Sequence, residues 1–98
     1  MEKIIKTYYS ILILDSCGDI YDELFKNQFG KEFTDLKEII RYVLEMKKHD
    51  KELGKEYGTW DYRVAIHEEN ETTDYQTIYK IRKVKNKNSY RLVIDWNF

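Results

Sequence analysis

Proline is absent from the chain, cysteine occurs once, and glycine only four times in 98 residues. Each shortage excludes something. One cysteine, Cys17, rules out an internal disulfide, so the fold must be held by its core; this usage suits a reducing, cytoplasmic setting. So few glycines leave no Gly-rich phosphate-cradling loop, and no Gly-x-Ser-x-Gly elbow presents Ser10, Ser16 or Ser89 as a nucleophile. The longest aliphatic run is Ile11-Leu12-Ile13-Leu14, far short of the roughly 20 residues that span a bilayer. No signal peptide is recognisable around Glu2, Lys3 and Lys6, and no membrane partner is expected. Net charge is only −1, so no overall field draws the chain to nucleic acid or to an acidic membrane.

What is present is enough for one globular domain over residues 1–98. A chain of this length buries roughly 60–65% of its unfolded surface. Hydrophobic residues at 42% and balanced charge argue against disorder. Aromatics reach 15%, with nine Tyr, and these side chains fit pleated, half-buried surfaces. Charge is segregated. Residues 1–35 carry four Lys and seven Asp/Glu, whereas residues 75–98 carry six Lys/Arg and one Asp.

Periodicity supplies the expected elements. Residues 3–14 read as a strand, placed centrally because its end is apolar on both faces. Asp15-Ser16-Cys17-Gly18-Asp19 is turn chemistry. Residues 20–29 are ambiguous. As a helix, Asp19 caps it, Ile20, Leu24, Phe25 and Phe29 form a stripe, and Gly30 ends it. As a strand, its alternation is poor, and the helix is the expected form. Over 34–49, Leu36, Ile39, Ile40, Val43 and Leu44 mark one helical face, with Thr34 as N-cap; the helix extends at most to Leu53, before Gly54. Residues 51–58 read as a solvated connector. Strands are expected at 59–67, 75–85 and 89–97. Trp60, Tyr62, Val64 and Ile66 face inward on the first, and Tyr90, Leu92, Ile94 and Trp96 on the last. Asn86-Lys87-Asn88 joins the last two as a hairpin. The expected class is α+β: an antiparallel sheet of about four strands with one or two helices on one face, in the order β-α-α-β-β-β.

No catalytic or metal-binding set is expected, and no cofactor. His67 and Glu68 are neighbours on a strand and point to opposite faces, so His67 is expected at a solvated strand end. Asp15, Asp19, Asp22 and Glu23 make an acidic turn whose Gly18 is misplaced for an EF-hand loop; they form a second candidate contact surface. Acidic neighbours disfavour a reactive thiolate at Cys17. The leading candidate surface is the basic hairpin, where Lys80, Arg82, Lys83, Lys85, Lys87 and Arg91 are interleaved with Tyr79 and Tyr90. Such a ribbon suits an acidic protein surface, or a phosphate backbone with stacked bases. It also fits an edge strand that lysines protect from aggregation.

The functional expectation is a non-enzymatic interaction protein, a monomer or small homo-oligomer, that binds and blocks or modulates a larger macromolecule. A protein is the expected partner, with nucleic acid as the alternative. The Lys-, Ile- and Asn-rich, proline-free composition is associated with small phage and mobile-element proteins of AT-rich genomes. An inhibitor of host defence, anti-CRISPR-like in class, is the expectation that follows.

Overall fold

The computed structural model describes residues 4–53 and 60–98. Five strands and one helix run in the order β1 (Lys6–Leu14), β2 (Ile20–Leu24), α1 (Leu36–Leu53), β3 (Asp61–Glu69), β4 (Asp74–Lys83) and β5 (Tyr90–Ile94). The strands form one sheet, β2-β1-β3-β4-β5, with every neighbouring pair antiparallel. The α+β class is as expected. The order is not: β-β-α-β-β-β replaces β-α-α-β-β-β, because the segment after the first turn is a strand. The connector expected over 51–58 lies largely outside the described residues, as do Lys3, Gly54 and Thr59; its first residues, Lys51 to Leu53, belong to α1.

The correction at 20–29 has a local cause. Asp15 Oδ1 accepts the Cys17 and Asp19 backbone N–H groups at 2.9 and 3.0 Å. Gly18 adopts φ +83°, where a side chain is disfavoured. This tight turn reverses the chain, and Asp15 N–H donates to the Asp19 carbonyl. β1 is thereby given a second hydrogen-bonded neighbour, with Ile11 opposite Leu24 and Leu12 opposite Glu23. A register shift between Ile13 and Leu14 breaks the regular alternation that the sequence lacked. After β2, Asn27 Oδ1 accepts the N–H groups of Phe29 and Lys31, and Gly30 at φ +77° belongs to that loop rather than to a helix end. Phe29 is exposed, while Phe33 is buried.

α1 starts one residue later than Thr34 capping implies. Asp35 is the N-cap: its Oδ1 accepts Lys37 N–H at 3.0 Å, and its carbonyl accepts Ile39 N–H. The inward stripe is also rotated. Ile39 and Val43 are fully buried, with Leu36, Tyr42 and Met46 beside them, whereas Ile40 and Leu44 are half-buried at the margin. This face meets Ile11, Tyr62 and Val64 of the sheet, and the Phe33 ring meets Tyr42 edge-on. Each fully buried aliphatic side chain here contributes about 2 kcal/mol by removal from water.

At the other end, β4 stops at Lys83 and β5 at Ile94, both short of expectation. Asn86 sits at φ 63° in the hairpin loop, the conformation anticipated for asparagine there. Trp96 does not point inward. The strand ends before it, Asn97 N–H turns back to Asp95 Oδ1, and Trp96 is 84% exposed. Tyr90, at the first position of β5, is also exposed.

Candidate functional site

α1 covers one face of the sheet. The other face carries the alternate residues Tyr8, Ser10, Leu12 and Leu14 of β1, Arg63, Ala65 and His67 of β3, and Ile78, Lys80 and Arg82 of β4. No helix packs on it among the described residues. Leu12, Leu14, Ala65 and Ile78 nevertheless form a second buried cluster there.

Two polar centres flank that cluster. In the first, Ser10 Oγ lies 2.6 Å from Glu23 Oε2 and 2.9 Å from His67 Nε2. Ser10 is wholly buried and His67 nearly so, which corrects the expected solvated strand end. Tyr8 stacks on the imidazole, with ring centroids 4.4 Å apart and planes within 4°, and Phe25 lies 5.8 Å from it. The hydrogen bonds run against nucleophilic catalysis. A serine hydroxyl has one proton, and the carboxylate accepts it; His67 Nε2 must then donate to Ser10 Oγ rather than withdraw its proton. With no exposed surface, Ser10 also offers no approach to a substrate. The arrangement ties β2, β1 and β3 together through side chains 13 and 57 residues apart in sequence.

In the second centre, Arg63 Nε donates to Asp95 Oδ2 at 2.8 Å and Arg63 Nη1 to Asp61 Oδ2 at 2.7 Å. Lys80 Nζ stands 3.9 Å from Asp95 Oδ1. The Arg63 hydrogen bond holds the Asp95 carboxyl below its ordinary range, against the opposing effect of burial, with Asn97 N–H and Lys80 assisting. Burial pushes Asp61 up, but Arg63 and the Tyr62 N–H outweigh it and its acidity is increased. On the helix side, burial and then the Asp50 carboxylate, which accepts its hydroxyl proton, raise the Tyr62 phenol.

The sequence-predicted contact residues separate into used and free groups. Tyr79 packs against the main core, and Lys80 belongs to the Asp95 centre. Arg82 and Arg91 are exposed and stand directly opposite each other in the β4–β5 register, with side chains on the open face. Lys83 pairs with Tyr90 on the helix side. Lys85 and Lys87 lie beyond the strand in the hairpin loop, where Lys87 N–H donates to the Val84 carbonyl. Among the described residues no carboxylate lies within ion-pairing distance of Arg82 or Arg91. Like charges placed directly across a sheet disfavour pairing. Of the acidic set, Asp15 serves the turn, Glu23 belongs to the Ser10 centre, and Asp19 and Asp22 are exposed.

A groove of about 660 Å³ runs beside α1, lined by Glu38, Arg41, Glu45, His49, Asp50 and Tyr62 among others. Its charges are mixed in sign. Among the described residues no three potential metal ligands converge, and no helix is long and apolar enough to cross a membrane. Compared with protein-family models, curated proteins and solved structures, the chain matches none.

Sequence reasoning missed Ser10, Tyr8 and the Arg63–Asp95 pair as organised groups. The only signal was parity. His67 shares its strand face with Arg63 and Ala65, but spacing does not reveal which side chains of β1 and β4 lie across from them, or that Glu23 and Asp95 come within reach.

Proposed function

We propose that this chain is a non-enzymatic interaction protein that binds a larger, acidic macromolecule through the β4–β5 hairpin, and that the partner is a protein. One observation carries the reading. Among the described residues Arg82 and Arg91 face each other across the ladder without a counter-charge, while Arg63 is paired with Asp95 and Asp61 and Lys80 stands beside Asp95. An anionic partner supplies what the free protein lacks. Lys83, Lys85 and Lys87 extend the positive rim, and exposed Tyr90 and Trp96 add the aromatic surface that anchors interfaces. The polar centre with Ser10, Glu23 and His67 supports the same reading, since its groups bind one another instead of facing a substrate. Binding of this kind suits a blocker or modulator, and components of bacterial defence systems are the first targets to screen.

The test is affinity capture of a partner by the full chain and by an Arg82→Glu, Arg91→Glu variant, with and without nuclease. The expected result is nuclease-resistant capture of a defined protein, lost in the variant while its far-UV circular dichroism and melting temperature match the parent. Capture that persists in the folded variant would sink the hairpin reading and turn attention to Asp15, Asp19 and Asp22. Capture abolished by nuclease, with a steep salt dependence, would replace the protein partner by nucleic acid.

A further inference from the structure

The outer edge of β5 is unpaired in a regular and chemically specific way. At one end of the β4–β5 ladder Asp95 N–H donates to the Ile78 carbonyl at 2.9 Å, and at the other Val84 N–H donates to the Ser89 carbonyl at 2.8 Å. Between them the register runs from Tyr79 opposite Ile94 to Lys83 opposite Tyr90. Antiparallel alternation therefore makes Lys80 with Val93 and Arg82 with Arg91 the hydrogen-bonded pairs. Tyr90, Leu92 and Ile94 turn their N–H and C=O groups away from β4. Among the described residues β5 has no second neighbour.

Such an edge is a template for another strand, and proteins guard against it with charges, bulges or proline. The opposite edge is guarded. β2 has the same five-residue length as β5, but it carries Asp22 and Glu23 and pairs with β1 through a register shift. β5 has no bulge and no acidic residue, and Arg91 is its only charge. That charge lies on the open face beside unpaired Arg82.

We propose that β5 accepts an extended acidic segment of a partner protein as a sixth strand, with carboxylates at alternate positions meeting Arg91 and Arg82 on the open face. This rests on the hairpin reading above and specifies how the contact is made. Backbone groups of Tyr90, Leu92 and Ile94 hold the segment, and the two arginines select it. Because strand side chains alternate, the acidic residues of the segment occupy the open-face positions next to Arg91, and the intervening residues pass over Leu92 on the helix side.

The test uses the full chain, isotope-labelled, with a short capped peptide alternating Glu and Val, and a control peptide with Lys in place of Glu. The Glu peptide is expected to slow amide exchange at Tyr90, Leu92 and Ile94. Arg91 and Val93, already bonded to β4, are expected to be unchanged, and the Lys peptide is expected to protect nothing. Arg82→Gln with Arg91→Gln should weaken the Glu peptide by about tenfold or more while the melting temperature holds. Arginine-dependent binding that leaves the Tyr90, Leu92 and Ile94 amides exchanging as in the free protein would overturn strand addition and leave the hairpin reading standing. Protection of the same amides without peptide, rising with protein concentration, would also overturn it, by placing a second copy of this chain on the edge. Failure of the hairpin reading itself shows separately, as undiminished partner capture by the arginine-reversal variant.

Discussion

On its helix side the sheet buries Ile11 and Val64 among hydrocarbon neighbours from α1; on its open side it buries Leu12, Leu14, Ala65 and Ile78 beside Ser10, His67 and Asp95. The difference shows two ways of making a protected surface. The first uses a second layer of apolar side chains, where any shape of the right volume serves. The second flanks an apolar strip with polar groups that satisfy one another, which demands defined partners and leaves little tolerance for removing one of them. The helix side therefore holds the larger apolar cluster. The open side ties β2, β1 and β3 together through defined side-chain partners, and among the described residues it leaves Arg82 and Arg91 without a counter-charge.

The largest expected effect tests the helix side. Ile39→Ala or Val43→Ala should cost about 2–4 kcal/mol, from lost burial and the cavity left behind. Ile40→Ala, at the half-buried margin, should cost about 1 kcal/mol. Chemical denaturation of the three variants checks the order, and equal losses at Ile39 and Ile40 would refute the rotated stripe.

Next comes the Arg63–Asp95 pair on the open side. Arg63→Ala leaves the buried Asp95 carboxylate with only Lys80 and the Asn97 N–H and should cost about 2–3 kcal/mol. The pair also implies a pH dependence of definite sign. The folded-state pKa of Asp95 is depressed, so its contribution is present above the unfolded value of about 4 and is lost as pH falls through the lower folded value. Asp95→Asn should flatten the acid limb of stability against pH below about 4. An unchanged acid limb in that variant would show that the pair is not coupled to folding.

A smaller effect is expected at the other polar centre. Ser10→Ala leaves His67 Nε2 and Glu23 Oε2 without their shared hydroxyl and should cost about 1–2 kcal/mol. Partner capture should survive. Loss of capture in a folded Ser10→Ala variant would move the functional site from the hairpin to this centre. The smallest effects belong to the surface. Arg91→Ala relieves a like-charge contact and should leave stability unchanged or raise it by about 0.5 kcal/mol. Cys17→Ser, at an exposed turn position, should alter neither the melting temperature nor capture.

Much of this arrangement was legible in the sequence. The apolar spacing of α1, the alternation of β3, the asparagine turn after β4 and the interior, though not central, place of β1 all follow from local chemistry, most of it repeating at 3.6 or 2 residues. β2 was not legible, because its strand character comes from pairing with β1, and the register shift removes the period that marks a strand. His67 was misread for a related reason. Its polarity suggests solvent, but burial depends on Tyr8 of β1 and on Phe25, just past the end of β2.

By itself the sequence determined the α+β class, the amphipathic helix and the concentration of cations near the C-terminal end. These are properties of short windows, where neighbouring residues set the periodicity and charge. Only the tertiary structure decided that Ser10, Glu23 and His67 would meet, that Asp95 would take Arg63 and Lys80, and that Arg82 and Arg91 would be left facing each other. Those outcomes depend on strand order and register, which one residue of slip would invert by sending every side chain to the opposite face.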